Sequence, residues 1–203
     1  MSTDHPPAPW RLCGRGWLTV STAPRPAISP FVPGVVPLSL FGRALVVSAF
    51  VDYDASGLLA YRELMVAVVV RKGFRVGLSI TDIWVDDETS RRGARAMWGI
   101  PKEMAEFTLE AEPRLTAAAA AGDVTLATAE ELPRRSPSLP VRLTTSVWQS
   151  LNGTAVRTAL HTAARVRLTR LRWRTPPSSP LARLTTRPLL HLAVTALRMR
   201  FGE

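Results

Sequence analysis

The chain has 203 residues, of which 46% are hydrophobic and 21% charged, a balance typical of a globular protein. A single domain over residues 1–203 is therefore expected, and 17 prolines disfavour long helices. The only cysteine, Cys13, excludes an internal disulfide, and residues 1–10 lack the apolar core of a signal peptide, so we expect a cytoplasmic location.

The net charge of +10 is distributed unevenly along the chain. The segment from Arg134 to Glu203 contains 13 arginines, no lysine and one acid, which gives +12 there and therefore −2 in the rest of the chain. A basic segment can indicate nucleic-acid binding. This one has no recognisable nucleic-acid-binding motif, and its arginines alternate with apolar residues as on a half-exposed strand. We therefore expect a solvated arginine face and no nucleic-acid partner.

The N-terminal two thirds of the chain read as a succession of strands. Residues 1–30 predict an arm with one short strand and a loose tip at residues 1–9. Val35 to Val51 is apolar but too short and too interrupted to span a membrane, so we interpret it as a core strand and expect no membrane partner. Leu115 to Ala121 is rich in alanine and predicts either a short helix or a turn. Segments rich in β-branched or aromatic residues predict further strands at Val46–Tyr53, Leu58–Val70, Val76–Trp84, Phe107–Ala111 and Val124–Thr128.

The C-terminal third continues in the same manner. Val141 to Trp148 predicts a strand that leads into a turn at Asn152 and Gly153. Arg165 to Arg174 alternates arginine with apolar residues and shifts phase near Thr169, which predicts a strand with a β-bulge. Its apolar residues, expected to pack inward, are Val166, Leu168, Leu171 and Trp173. Leu189 to Phe201 has apolar residues at mixed spacing that fit helix or strand.

The sequence contains no motif for a metal site, a nucleotide-binding loop or a serine nucleophile. The three histidines, His5, His161 and His191, are too scattered to indicate a zinc site, and there is no glycine-rich phosphate loop or serine nucleophile elbow. We expect no metal and no cofactor.

Glu63 is an unusual residue for its position. If Tyr61 to Val70 is a strand, Glu63 shares one face with Tyr61 and Met65. After Arg62, the opposite face carries only apolar residues: Leu64, Val66, Val68 and Val70. A strand that is apolar on both faces is normally central, so this carboxylate would be desolvated. The alternative is that Glu63 lies at a frayed strand end and faces water.

Lys102 is one of only two lysines in a chain with 24 arginines; the other is Lys72. Where arginine is so strongly preferred, a remaining lysine is a candidate for a task that arginine cannot perform, such as forming an imine through a neutral amine. The alternative for both lysines is a solvated charge in a surface turn.

Two blocks of the sequence resemble the acetoacetate decarboxylase superfamily. Trp98-Gly99-Ile100-Pro101-Lys102, preceded by Arg95, is similar to the family signature in which Pro-Lys carries the imine-forming lysine. Tyr61-Arg62-Glu63 is similar to the family's Tyr-x-Glu segment, whose glutamate lines the same pocket. The resemblance implies a mainly β protein with a closed or partly closed antiparallel β-barrel and few short helices. It implies Lys102 and Glu63 as catalytic residues and Trp98, Met97 and Arg15 as substrate-binding residues, and we expect a homo-oligomer.

The chain departs from the family pattern at several positions. The second lysine of the decarboxylase, which lowers the pKa of the first, is Glu103 here, and Arg95 is a candidate replacement for its charge. A second pocket glutamate corresponds to Ser48, and the family's Gly-Arg-Glu is Ala94-Arg95-Ala96. These differences bear on the reaction more than on the fold.

The resemblance implies a Schiff-base lyase that acts on a small keto acid through an imine on Lys102. For this chemistry we expect burial beside Met97, Trp98 and Ile100 to lower the pKa of Lys102. Two alternatives stay open: a Schiff-base aldolase or dehydratase on the same scaffold, and a non-catalytic homologue that binds a small molecule.

Overall fold

The computed structural model describes residues 5–28, 32–134 and 136–203. The strands are β1 (Trp10–Pro24), β2 (Val36–Pro37), β3 (Ser39–Leu40), β4 (Arg43–Tyr53), β5 (Tyr61–Lys72), β6 (Arg75–Val85), β7 (Lys102–Met104), β8 (Glu106–Glu110), β9 (Thr116–Ala121), β10 (Val124–Leu132), β11 (Leu139–Leu151), β12 (Thr154–Leu168), β13 (Arg170–Arg174) and β14 (Arg187–Phe201). One α-helix, α1 (Glu88–Trp98), and two 3-10 helices, Arg25–Ala27 and Pro180–Leu184, complete the described elements.

Seven strands close into a barrel in the order β5, β4, β1, β14, β12, β11, β6 and back to β5. The predicted mainly β fold with a closed barrel is therefore confirmed. One pair differs from the antiparallel expectation, because β11 and β6 run parallel and share a ladder at the single pair Val147 and Leu78. The short strand β7 extends the sheet beyond β6, also in parallel.

A second sheet of four strands, in the order β13, β10, β9, β8, covers the outside of the barrel. Its apolar side chains form one core cluster with the outward-facing residues of β4 and β5, among them Val46, Leu64 and Val66. Phe50 of β4 stacks on Trp173 of β13 with ring centroids 5.2 Å apart. Strand β5 is consequently buried on both faces, with one face toward the second sheet and the other toward the barrel interior.

Two segments of the second sheet differ from their predictions. Leu115 to Ala121 forms neither a helix nor a turn, because Thr116–Ala121 is strand β9, whose alanines Ala117 and Ala119 are buried against the barrel. Small side chains permit this close packing of sheet on sheet, and the packing overrides the helix propensity of alanine. The predicted bulge near Thr169 is instead the point where the chain leaves β12 in the barrel and enters β13 in the second sheet.

A buried carboxylate joins the two layers at that crossing. Glu131 of β10 forms an ion pair with Arg167, with Nη2 and Oε1 2.6 Å apart. Its carboxylate also accepts hydrogen bonds from the Trp17 indole N–H and the Thr169 hydroxyl. Arg167 is therefore not a freely solvated member of the arginine face, and Leu168, predicted to pack inward, is 37% exposed.

The N- and C-terminal strands lie side by side in the barrel wall. Strand β1 is 15 residues long, not short as predicted, and pairs with both β4 and β14. Leu189 to Phe201, for which helix and strand were both open, lies in strand β14. The apolar residues of this segment have mixed spacing because Ala196, at φ +47°, interrupts the alternation of side chains. Of the tip expected to be loose, residues 1–4 lie outside the described residues, while the carbonyl of Pro6 accepts a hydrogen bond from the Trp10 indole.

The segment Val35 to Val51, predicted as one core strand, is divided between β2, β3 and β4 by a turn at Phe41 and Gly42. In the part of the chain that the structure describes, no helix has the length and apolar character needed to cross a membrane.

Candidate active site

The barrel encloses a cavity of about 420 Å³ whose walls are predominantly apolar. Every barrel strand contributes lining side chains, and α1 covers part of one end with Ala94 and Trp98. Among the described lining residues, Glu63 and Lys102 are the only two that carry a charge. The two residues singled out from sequence therefore meet in one cavity.

Lys102 reaches the cavity because of the turn that follows α1. Gly99 adopts a left-handed conformation at φ +65° and ends the helix, as is common at this position. A Cβ at Gly99 would lie 2.2 Å from the carbonyl oxygen of Ser150, so the turn requires glycine on steric grounds as well. Lys102 then pairs with Ile83 as the first residue of β7.

Glu63 reaches the same point from β5, where it pairs with Val51 on one side and Val85 on the other. Its Oε2 lies 3.0 Å from Lys102 Nζ, and the two side chains are only 6% and 4% exposed. Because both neighbours of Glu63 in the sheet are apolar, Lys102 is the counter-charge that compensates its burial.

Two hydroxyl groups complete the surroundings of the amine. Lys102 Nζ donates hydrogen bonds to Tyr61 Oη at 3.0 Å and to Ser90 Oγ at 2.8 Å, and it lies 4.5 Å from the centre of the Tyr61 ring. With Glu63, these partners engage all three N–H bonds of an ammonium group. Sequence reasoning did not identify Ser90, because it did not predict α1. The capping residue Asp87, which accepts a hydrogen bond from the Ser90 backbone N–H, was the available signal.

Electrostatics at the site differ from the prediction. Burial acts to lower the pKa of Lys102, as expected, but the negative charge of Glu63 and the contacts with Tyr61 outweigh burial and raise it. Burial is also the main cause that raises the pKa of Tyr61 to about 12 and the pKa of Tyr53 well above its usual value. At neutral pH the site therefore holds the Lys102 ammonium and two neutral phenols.

This arrangement gives a proton a direct path between the amine and the carboxylate. Transfer across the 3.0 Å contact between Lys102 and Glu63 would produce a neutral amine, which is a nucleophile, and a carboxylic acid, which is a proton donor. The apolar walls reduce the cost of this transfer, because they penalise charged groups. The site is thus suited to attack on a carbonyl carbon.

Of the residues expected to bind substrate, only Trp98 lines the cavity. Met97 is half-buried and packs outside it. Arg15 is not in the cavity: it forms an ion pair with Asp52 at 3.0 Å and is 39% exposed. The reason is strand alternation, because the neighbouring Gly16 faces inward and Arg15 must then face outward.

The residues discussed as replacements for family charges also lie outside the cavity. Arg95 is on the surface, where it donates hydrogen bonds to the Lys102 carbonyl oxygen and to Glu103, so it does not replace the missing cation. Ser48 faces away from the cavity, since Val47 and Ala49 on either side of it line the interior. Neither position contributes to the site.

Comparisons with known proteins agree with the fold and with the family resemblance. A family model described as acetoacetate decarboxylase (ADC) matches residues 2–194. The chain is similar in structure to acetoacetate decarboxylase from Legionella pneumophila, with 19% identity, a TM-score of 0.71, and 99% of this chain and 87% of that chain covered. It is also similar to an acetoacetate decarboxylase-like enzyme from Sphingomonas wittichii RW1, with 14% identity, a TM-score of 0.68, and 99% and 93% covered.

A third similar structure is the enduracididine biosynthesis enzyme MppR complexed with the condensation product of pyruvate and imidazole 4-carboxaldehyde. Here the identity is 15%, the TM-score is 0.67, and the alignment covers 100% of this chain and 90% of that chain. At these identities the solved structures establish a shared fold only. Among curated proteins no significant match is found. Because the family model covers nearly the whole chain, this protein belongs to the acetoacetate decarboxylase family.

Proposed function

We propose that the protein is a Schiff-base lyase that forms an imine between Lys102 and a keto acid and then breaks the bond to the carboxylate carbon. The observation that carries this proposal is the buried contact of Lys102 with Glu63 inside a cavity with no other charged group among its described lining residues. A surface lysine would have neither the burial nor the enclosed proton acceptor.

The reaction begins when Lys102 transfers a proton to Glu63. The neutral amine attacks the keto carbon, and Glu63 returns the proton to the hydroxyl group, which leaves as water. The resulting iminium accepts the electron pair of the breaking C–C bond, so carbon dioxide departs and an enamine remains. Protonation of the enamine carbon, with a proton drawn from solvent through Glu63, and hydrolysis of the imine release a ketone. The balance is one keto-acid anion and one proton in, one ketone and one carbon dioxide out.

Aldol condensation or dehydration through the same imine is the second candidate. Two observations favour it: the described cavity residues offer no second cation for a substrate carboxylate, and the similar MppR structure holds a condensation product of pyruvate and an aldehyde. Incubation with pyruvate and an aromatic aldehyde, followed by mass spectrometry of the products, distinguishes condensation from release of carbon dioxide.

A non-catalytic binding homologue is the third candidate. The three partners that hold the Lys102 ammonium, and the raised pKa of that amine, are the features that favour it. In that case the protein binds carbonyl compounds but forms no covalent adduct with them.

We further propose that the protein acts in the cytoplasm as a homo-oligomer and without a nucleic-acid partner. Three apolar side chains at strand connections, Leu40, Phe41 and Phe74, are 70% to fully exposed, which is typical of residues covered in an interface. Size-exclusion chromatography with light scattering tests the assembly.

Borohydride trapping tests the imine directly. Reduction in the presence of a keto acid should add the mass of the substrate to the peptide that contains Lys102. Lys102→Arg keeps a positive charge but cannot form an imine, so the adduct and turnover should disappear. Lys72→Arg is the matched control, because Lys72 is the only other lysine and lies over the Trp148 ring, 5.0 Å from its centre. Absence of any adduct with the unmodified protein would refute the proposal.

A further inference from the structure

We infer that the substrate is a keto acid with a long apolar chain, in which the carbonyl end lies at Lys102 and the chain extends toward the opposite end of the barrel. This inference rests on the proposed imine chemistry and adds the class of substrate. It starts from the size of the cavity, about 420 Å³. A four-carbon keto acid has seven non-hydrogen atoms and, at roughly 20–30 Å³ each on the scale of liquid water, fills about a third to a half of that volume.

The polar groups of the cavity are concentrated at one end. Lys102, Glu63, Tyr61 and Tyr53 lie together, because Tyr61 contacts both the amine and the Tyr53 ring, 4.7 Å away. Elsewhere the described lining is apolar, apart from Gly16 and the hydroxyl groups of Thr145 and Thr162. A ligand matched to this surface has one polar end and a hydrocarbon body.

Strand register indicates how long that body is. Lys102 pairs with Ile83 of β6, five residues beyond Leu78, and Leu78 pairs with Val147 of the parallel strand β11. Leu143, which also lines the cavity, is four residues before Val147. The cavity therefore extends along about nine residues, roughly 20–25 Å along the axis of a barrel with strands tilted by about 40°. This length is several times that of a four-carbon keto acid.

The end remote from Lys102 is open and apolar. Val141 and Leu143 line the cavity and yet are 42% and 56% exposed, so they mark its mouth. The seam next to this end is short, because β11 and β6 share only the pair Val147 and Leu78. A hydrocarbon chain that reaches the mouth would cover these side chains, which are costly to leave in water.

Charge also disfavours a short substrate. Arg15 and Arg95 lie outside the cavity, and among the described lining residues Lys102 is the only cation. A four-carbon keto acid would depend on attraction between its carboxylate and a cation that must itself become neutral to react. A long chain binds instead by burying hydrocarbon, and each buried methylene raises the affinity roughly 3- to 4-fold.

A series of 3-oxo acids of increasing length tests the inference. We expect kcat/KM for release of carbon dioxide, and the yield of borohydride adduct, to rise from acetoacetate through 3-oxohexanoate to 3-oxodecanoate by about a hundredfold or more in total. Equal or falling values along the series would overturn the assignment of a long chain while leaving the imine on Lys102 intact.

A pair of variants on β12 locates the chain. Ala164 faces the cavity and pairs with Val141 near the mouth, whereas Ala163 next to it faces outward. Ala164→Phe should fill the outer part of the cavity and lower the ratio of kcat/KM for 3-oxodecanoate to that for acetoacetate at least tenfold. Ala163→Phe adds the same ring outside the barrel and should leave the ratio unchanged. An unchanged ratio in a folded Ala164→Phe variant would contradict the inference.

Binding without chemistry separates this inference from the proposed function. The double variant Lys102→Met with Glu63→Gln removes both charges together, so no unpaired charge is left buried. With binding followed by tryptophan fluorescence, this variant should bind 2-nonanone more tightly than 2-butanone, and we expect the same order for the unmodified protein. Chain-dependent binding with no borohydride adduct in the unmodified protein would refute the imine alone. A loss of chain dependence in both proteins would refute the long-chain substrate.

Discussion

Replacing Glu63 with glutamine keeps the shape of the side chain but removes the negative charge 3.0 Å from Lys102 Nζ. The lysine, 4% exposed, then has only neutral partners, which are the hydroxyl groups of Tyr61 and Ser90 and the amide oxygen of the introduced glutamine. Removing one member of a buried ion pair costs about 3–5 kcal/mol, because the other charge remains desolvated. Deprotonating the amine at pH 7 instead costs a similar amount, about 5 kcal/mol relative to a free lysine with a pKa near 10.4. We therefore expect Glu63→Gln to lose roughly 3–5 kcal/mol at pH 7.

The dependence of stability on pH should reverse in this variant. In the unmodified protein the pKa of Lys102 is raised, so its contribution is fully present below the unfolded pKa and is lost only as pH rises through the higher folded pKa. In Glu63→Gln burial acts without its counter-charge and lowers the pKa of Lys102. The unfolded state then binds more protons, and stability should increase with pH between about 7 and 10 by up to about 1.4 kcal/mol per unit.

Urea unfolding followed by tryptophan fluorescence at several pH values measures both effects. Glu103→Gln is the matched control, since it removes a carboxylate from an exposed pair with Arg95 and should cost less than about 1 kcal/mol. If Glu63→Gln loses no more than this control, and its stability has the pH profile of the unmodified protein, the buried charge pair is not as described. Glu63→Gln should also slow turnover by about 10²–10⁴-fold if the Glu63 carboxylate transfers protons in the reaction.

Two further predictions concern the framework of the site. Burial acts to raise the pKa of Glu131, but the hydrogen bonds of this carboxylate and its ion pair with Arg167 lower the pKa overall. The contribution of Glu131 to stability should therefore be present above about pH 4.3 and be lost as pH falls through the folded pKa. In acid unfolding, Glu131→Gln should lack this loss. Gly99→Ala should cost at least about 2–3 kcal/mol by thermal or urea unfolding, because its Cβ would meet the Ser150 carbonyl and its φ is positive. Gly122→Ala, also at positive φ but in open space, should cost only about 1 kcal/mol, and equal losses would contradict the steric reason.

Local sequence patterns were sufficient to predict a residue's surroundings where these depend only on the strand that contains the residue. The two apolar faces of β5 were predicted from alternation, and the structure divides them between the cavity and the second sheet. The same pattern left two outcomes open for Glu63, a buried carboxylate or one that faces water at a frayed strand end, and the structure has the buried one. The helix α1 was also within reach of local rules, because Asp87 caps its start and Gly99 ends it, but no prediction used these signals.

Other features depended on partners that sequence spacing does not reveal. The alanines of β9 favour a helix in isolation, and only the barrel surface against which Ala117 and Ala119 pack makes them a strand. The change of direction at Thr169 is a passage between two sheets, which a single strand pattern cannot distinguish from a bulge. Arg15 was assigned to the pocket by resemblance, but the direction of its side chain depends on how β1 is set between β4 and β14.

The sequence by itself determined the strand-rich fold and the motif that carries Lys102, because these follow from short-range periodicity and residue type. Whether Glu63 is buried or faces water was left to the tertiary structure, which buries it. Only the tertiary structure decided the ionisation of the amine. Burial alone lowers the pKa of a lysine, and the opposite result arises because Glu63 and Tyr61, 39 and 41 residues away along the chain, lie within 3.0 Å of its nitrogen. Interactions between charges vary inversely with distance and grow stronger in an apolar interior, so the sign of the shift was set by folding and not by composition.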